Sequence, residues 1–101
     1  MIKVLENENL EETISKGIWL VDFYADWCGP CKMMGEVLKE LTDIDIIKVN
    51  IDAHQDIAAK YGVMSIPTLM FVKEGKTAHT EIGFIPREEI ERIINDLKKA
   101  N

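Results

Sequence analysis

Short apolar runs alternate along the chain with stretches in which apolar residues return every three or four positions, and that alternation sets out its elements. Ile2 to Leu5 reads as a strand. Asn9, with Glu12 three residues on, forms a capping box that opens a short helix with Leu10 and Ile14 inward, and Gly17 can end it. Ile18 to Ala25 is nearly continuous in apolar residues, as expected of a central strand covered on both faces. Asp22 is the exception. Met34, Val37, Leu38 and Leu41 then follow helical spacing, so a helix begins at the two cysteines and its methionine reads as core packing.

Ile46 to Ile51 is a third strand, Gln55 to Tyr61 a short helix stopped by Gly62, and Thr68 to Val72 a fourth strand. Glu74-Gly75 supplies a tight turn, a weaker hairpin signal than Asn-Gly, into a fifth strand around Thr77 to Ile82. Pro86 suits the first turn of a last helix with Ile90, Ile93, Ile94 and Leu97 inward, and Glu88, Glu89, Lys98 and Lys99 match its dipole. The order is βαβαβαββα. Strands joined through helices should mostly run parallel, whereas the hairpin makes the last two antiparallel. The expected fold class is α/β: a mixed five-stranded sheet flanked by helices on both faces.

Composition narrows the partners. At 101 residues, without repeats or a Gly/Ser linker, the chain is expected to form one domain over 1–101. No apolar run approaches a membrane span, and the N-terminal M-I-K-V-L-E-N-E-N shows no apolar targeting core, so the expected compartment is the cytoplasm. Twelve basic against eighteen acidic residues give a net charge of −6, which argues against nucleic acid and anionic membranes as partners.

Both cysteines lie in W-C-G-P-C at residues 27 to 31. A structural disulfide would remove little unfolded-chain entropy across so short a loop, and a cytosolic chain would be kept reduced. Structural zinc needs four ligands; His54 and His79 are not in ligand spacing and read as solvent-facing bystanders. A catalytic dithiol fits better. A strand feeding C-x-x-C into a helix start aims unpaired N–H groups and the positive dipole end at the first sulfur, favouring thiolate at Cys28. Cys31, one turn further in, would be less exposed yet within reach to attack a mixed disulfide, so the pair can reduce a target in two exchanges.

The chain resembles the thioredoxin family through D-F-Y-A-D-W-C-G-P-C-K, K-V-N-I-D at 48 to 52, Y-G-V-M-S-I-P-T-L at 61 to 69, and Gly75 and Gly83. A C-x-x-C beside a βαβ pattern is itself a recognised signature of that fold. The resemblance covers essentially the whole chain and implies a thioredoxin fold and a protein-disulfide reductase. The reductase would be recharged by a thioredoxin reductase, use no metal or organic cofactor, and act as a monomer. It makes Cys28 the attacking and Cys31 the resolving sulfur, with Trp27, Gly29 and Pro30 shaping the surface around them. It makes Ile66-Pro67 a cis bond facing the cysteines, where backbone groups and Gly83 meet an extended substrate in a short strand-addition contact. A thioredoxin-fold binding module and a disulfide oxidase or isomerase remain as alternatives.

Asp22 has two readings. One is a satisfied structural acid paired with Lys48. In the other, implied by the resemblance, Asp22 lies beneath the buried cysteine, burial raises its pKa, and it exchanges a proton with Cys31 while Lys48 restrains its charge. Three departures from the family pattern stand out: Glu36, after Gly35, replaces a helix-kinking proline; Tyr24 replaces tryptophan; and the link around Thr42 to Asp45 is short.

Overall fold

The structure is a computed structural model and describes residues 1–100. Its elements follow the expected order: β1 (Ile2–Val4), α1 (Leu10–Thr13), β2 (Ile18–Tyr24), α2 (Gly29–Lys39), β3 (Asp45–Asn50), α3 (Gln55–Lys60), β4 (Thr68–Lys73), β5 (Lys76–Ile82) and α4 (Arg87–Lys99). The five strands form one sheet in the order β1-β3-β2-β4-β5. β3 runs parallel to β1 and β2, while β4 is antiparallel to both β2 and β5.

One helical connection therefore does not give a parallel pair. β3 ends at Asn50, opposite Tyr24, and β4 begins at Thr68, opposite Phe23, so the chain leaves and re-enters the sheet at the same end. The six residues of α3 do not carry it back along the length of a strand, and β4 must run the other way.

Successive strand side chains point to opposite faces, and this sorts the core into two layers. Leu20, Ile46, Leu69 and Phe71 pack with Met34 and Leu38 of α2 and Ile90, Ile93 and Ile94 of α4. Trp19, Val21, Phe23, Ile47, Val49, Met70 and Val72 pack with Leu10 of α1, and with Ile57 and Tyr61 on α3 and its cap. Asp22 and Lys48 are register partners on the α2/α4 side.

Local sequence signals account for the ends of the elements. Asn9 caps α1 by accepting the Glu12 N–H at 3.0 Å, the Asn half of the expected capping box. Lys73 and Lys76 close the β4–β5 hairpin around Glu74 and Gly75, both at positive φ (50° and 80°), as the hand of a two-residue hairpin requires. Glu74 is the one non-glycine described residue with positive φ, and its N–H donates to the Gly17 carbonyl at 2.9 Å. Pro86 sits one residue ahead of α4 rather than inside its first turn. α2 runs without interruption through Gly35 and Glu36.

Candidate active site

β2 delivers the cysteines to the head of α2, where Cys28 is the N-cap residue. Its Sγ accepts the Cys31 N–H at 3.2 Å, so a sulfur satisfies one of the unpaired donors of the helix start. The first turn of α2 carries no acidic residue, unlike those of α1 and α4, which leaves the positive end of its dipole to the sulfur. Gly29 and Pro30 open the helix on the exposed side; a Cβ at Gly29 would meet nothing within 4 Å, so packing does not demand glycine there.

Cys28 and Cys31 are joined as a disulfide with Cα atoms 5.2 Å apart. Both are buried, at 6% and 3% exposure, so the difference expected between them is small. Their surroundings differ more. Cys28 Sγ lies 3.9 Å from the Ile66 carbonyl oxygen, whereas Cys31 lines a cleft of about 240 Å³ with Tyr24, Gly35 and Lys48.

The Ile66–Pro67 bond is cis, as the family resemblance implied. Thr68 braces this loop by donating its hydroxyl to the Ser65 carbonyl at 2.6 Å, and the Pro67 carbonyl accepts the Gly83 N–H at 2.8 Å. Gly83 has φ +92°, a conformation other residues rarely adopt. Cys28, Ile66, Pro67 and Gly83 are thus linked in sequence across one end of the sheet. Apolar side chains stand exposed beside them at Trp27, Met64, Ile82 and Phe84.

Within β2, Asp22 is wholly buried, and neither carboxylate oxygen has a hydrogen-bond partner among the described residues. Lys48 Nζ lies 3.8 Å from Oδ2. Desolvation lifts the Asp22 pKa to about 6, and the nearby ammonium opposes that rise only in part. The pairing with Lys48 expected of a structural acid is present, but no hydrogen bond from the described residues accompanies it. Lys48 also lies over the Tyr24 ring, 4.6 Å from its centre, and a Cβ at Gly35 would come within 3.3 Å of its nitrogen. Glycine and tyrosine, two positions at or beside departures from the family pattern, are thus the walls of the lysine's berth.

His54 is not the solvent-facing bystander expected: it is half-buried, with Nε2 3.2 Å from the Leu5 carbonyl oxygen. His79 pairs with Glu81 at 2.5 Å, away from the cysteines in the fold's outer strand. Sequence reasoning passed over Asp52, whose Oδ2 accepts the Trp27 indole N–H at 2.9 Å. No local pattern marks a contact between residues 25 apart.

A vicinal cysteine pair at a helix head, on a mixed sheet with helices on both faces, defines a dithiol–disulfide oxidoreductase. The Thioredoxin family profile matches residues 1–96, and the chain belongs to the thioredoxin family. It is 43% identical over 100 residues to the thioredoxin of Bacillus subtilis (strain 168), covering 94% of this chain and 95% of that one. It is 44% identical over 99 residues to the thioredoxin of Chlamydia caviae, covering 94% and 97%. A solved thioredoxin variant from Halobacterium salinarum NRC-1 superposes with a TM-score of 0.87 at 30% identity, covering 99% of this chain and 93% of the other. The redox-active pair is Cys28 and Cys31, and the activity is that of a protein-disulfide reductase acting on disulfide-containing targets. No helix among the described residues is long and apolar enough to cross a membrane.

Proposed function

We propose that Cys28 attacks and Cys31 resolves. The Cys28 thiolate displaces one sulfur of a target disulfide, forming a mixed disulfide and releasing that sulfur as a thiolate. Cys31 then gives its proton to the Asp22 carboxylate, and the resulting thiolate attacks Cys28 Sγ and expels the second target thiolate. Two electrons leave the protein and the Cys28–Cys31 disulfide forms. The placement of Cys28 as the cap of α2, against a Cys31 that faces the recess holding Lys48, carries this assignment.

Asp22 suits the proton role because its raised pKa, about 6, lets it hold either protonation state near neutrality. Lys48 limits how far burial raises it. Trp27, Gly29, Pro30, Ile66, Pro67 and Gly83 form the docking surface, supported by the Cys28–Ile66 approach and the Pro67–Gly83 hydrogen bond. An extended target segment pairs there with backbone groups, which reads little side-chain sequence. A thioredoxin reductase returns the two electrons, and the protein works as a cytoplasmic monomer of one domain, carrying electrons that keep target thiols reduced.

Trapping separates the two sulfurs. Cys31→Ser should accumulate mixed disulfides with targets on a non-reducing gel, because nothing remains to resolve them, and Cys28→Ser should trap almost none. The reverse pattern would overturn the assignment.

A further inference from the structure

We infer that Asp52 is a positioning residue that holds the Trp27 indole in one orientation beside the disulfide and thereby sets the affinity for protein substrates. This rests on the reading above that Trp27 belongs to the docking surface.

Trp27 is 69% exposed, so packing alone does not fix its ring. Its indole N–H instead donates to Asp52 Oδ2 at 2.9 Å. A carboxylate is a stronger acceptor than water or a neutral oxygen, which makes the bond effective at an exposed position. The acceptor is held in turn by the sheet. Tyr24 and Asn50 are register partners at the ends of β2 and β3, and the Ile51 N–H donates to the Tyr24 carbonyl at 2.9 Å as both chains leave the sheet. Asn50 Oδ1 then accepts the N–H groups of Asp52 at 2.8 Å and Ala53 at 3.2 Å, an Asx turn that fixes the backbone under the carboxylate. A line of hydrogen bonds thus runs from strand register to the indole.

The line does little for folding, since Trp27 and Asp52 are both exposed. Its consequence falls on binding. A large apolar ring ordered before the target arrives does not have to be ordered by the target, so the loss of conformational freedom is not charged to association. Ordering one such side chain alters affinity by about threefold to tenfold.

The test compares Asp52→Ala, Asp52→Asn, Trp27→Ala, Trp27→Phe and the double variant Trp27→Phe/Asp52→Ala in the full chain. Each is assayed by saturation with insulin as protein disulfide and with a small soluble disulfide, and the order of the Trp27 indole N–H is measured by NMR relaxation. Asp52→Ala should release the indole, raise KM for insulin about threefold to tenfold, and change kcat and the small-disulfide rate less than about twofold. Asp52→Asn keeps an acceptor and should restore most of the order and the KM. Adding Asp52→Ala to Trp27→Phe, which has a ring but no N–H donor, should change nothing further. An indole equally ordered in Asp52→Ala overturns the inference, and so does an undiminished effect of Asp52→Ala in the Trp27→Phe background, which would mean that the carboxylate acts by its own charge. If Trp27→Ala leaves KM for insulin unchanged, the docking role of Trp27 and the affinity it was assigned both fall. The relaxation measurement decides separately whether Asp52 orients the ring.

Discussion

Asp22 and Phe23 are neighbours on β2, both without exposed surface, and they point into different layers of the protein. Phe23 enters the α1/α3 layer among Val21, Ile47, Val49 and Met70, with the Tyr61 ring 6.0 Å from its own. Asp22 enters the α2/α4 layer with a lysine on one side and no hydrogen bond to either oxygen from the described residues. Stability alone would fill both positions with apolar side chains. Both layers are apolar cores, and the α2/α4 layer gives up some stability at this one position to bury a carboxylate.

The largest effect should come from breaking the apolar side. Phe23→Ala removes a fully buried ring and should lower stability by about 3–5 kcal/mol, read as a lower midpoint in urea. The variant that still folds should retain most of its resolution rate. A loss below ~1 kcal/mol would mean that the two layers do not divide as described.

The same measurement on the polar side should move the other way. Because the folded protein holds the Asp22 proton up to a pKa of about 6 and the unfolded chain only to ~3.9, stability falls as pH rises between those values. The penalty is absent below pH ~4 and complete above about pH 7, where it reaches roughly 3 kcal/mol. Asp22→Asn should therefore gain up to about that amount at pH 8 and close to nothing at pH 4, the buried amide offsetting part of the gain. It should also slow resolution of the mixed disulfide near neutrality, recovering as higher pH ionises Cys31 unaided. Stopped-flow rates equal to those of the unaltered protein from pH 6 to 9 would make Asp22 purely structural.

The smallest effect should sharpen the boundary between the layers. Gly35→Ala places a methyl 3.3 Å from Lys48 Nζ, close enough to move the ammonium by a few tenths of an ångström. Since Lys48 lowers the Asp22 pKa, displacing it should raise that pKa, seen in a carbon NMR titration of the carboxyl. Helix propensity favours alanine by roughly 0.8–1.0 kcal/mol, so net stability should change by less than ~1 kcal/mol. A titration that stays put or moves down would exclude Gly35 as a wall of the lysine's berth.

Elements and layers were legible because burial on two faces writes itself as continuous apolar strands, and burial on one face as helical spacing. Each strand ends within a residue or so of its expected limits. The direction of β4 was not legible, because a helical period says that a helix is present and not whether it spans the sheet. At the site, the two sulfurs and the anomalous acid stood out as departures from local pattern. Lys48 was reached through the family resemblance, while Gly35 as the space for its ammonium and Asp52 as the anchor of Trp27 depend on register between distant strands. The near-equal burial of Cys28 and Cys31 was missed for a related reason: helix position fixes which sulfur caps, not how closely the Ile66 loop covers it.

The sulfur that caps α2 is also the sulfur that changes partners, so folding and electron transfer share an atom. Around the closed cycle of folded, unfolded, oxidised and reduced chains, the free-energy changes must sum to zero. The gap in folding stability between the oxidised and reduced protein is therefore the same quantity as the gap in reducibility between the folded and unfolded disulfide. A pair of denaturation curves, one for each redox state, is in this protein a measurement of how strongly the fold itself draws electrons to or from Cys28 and Cys31.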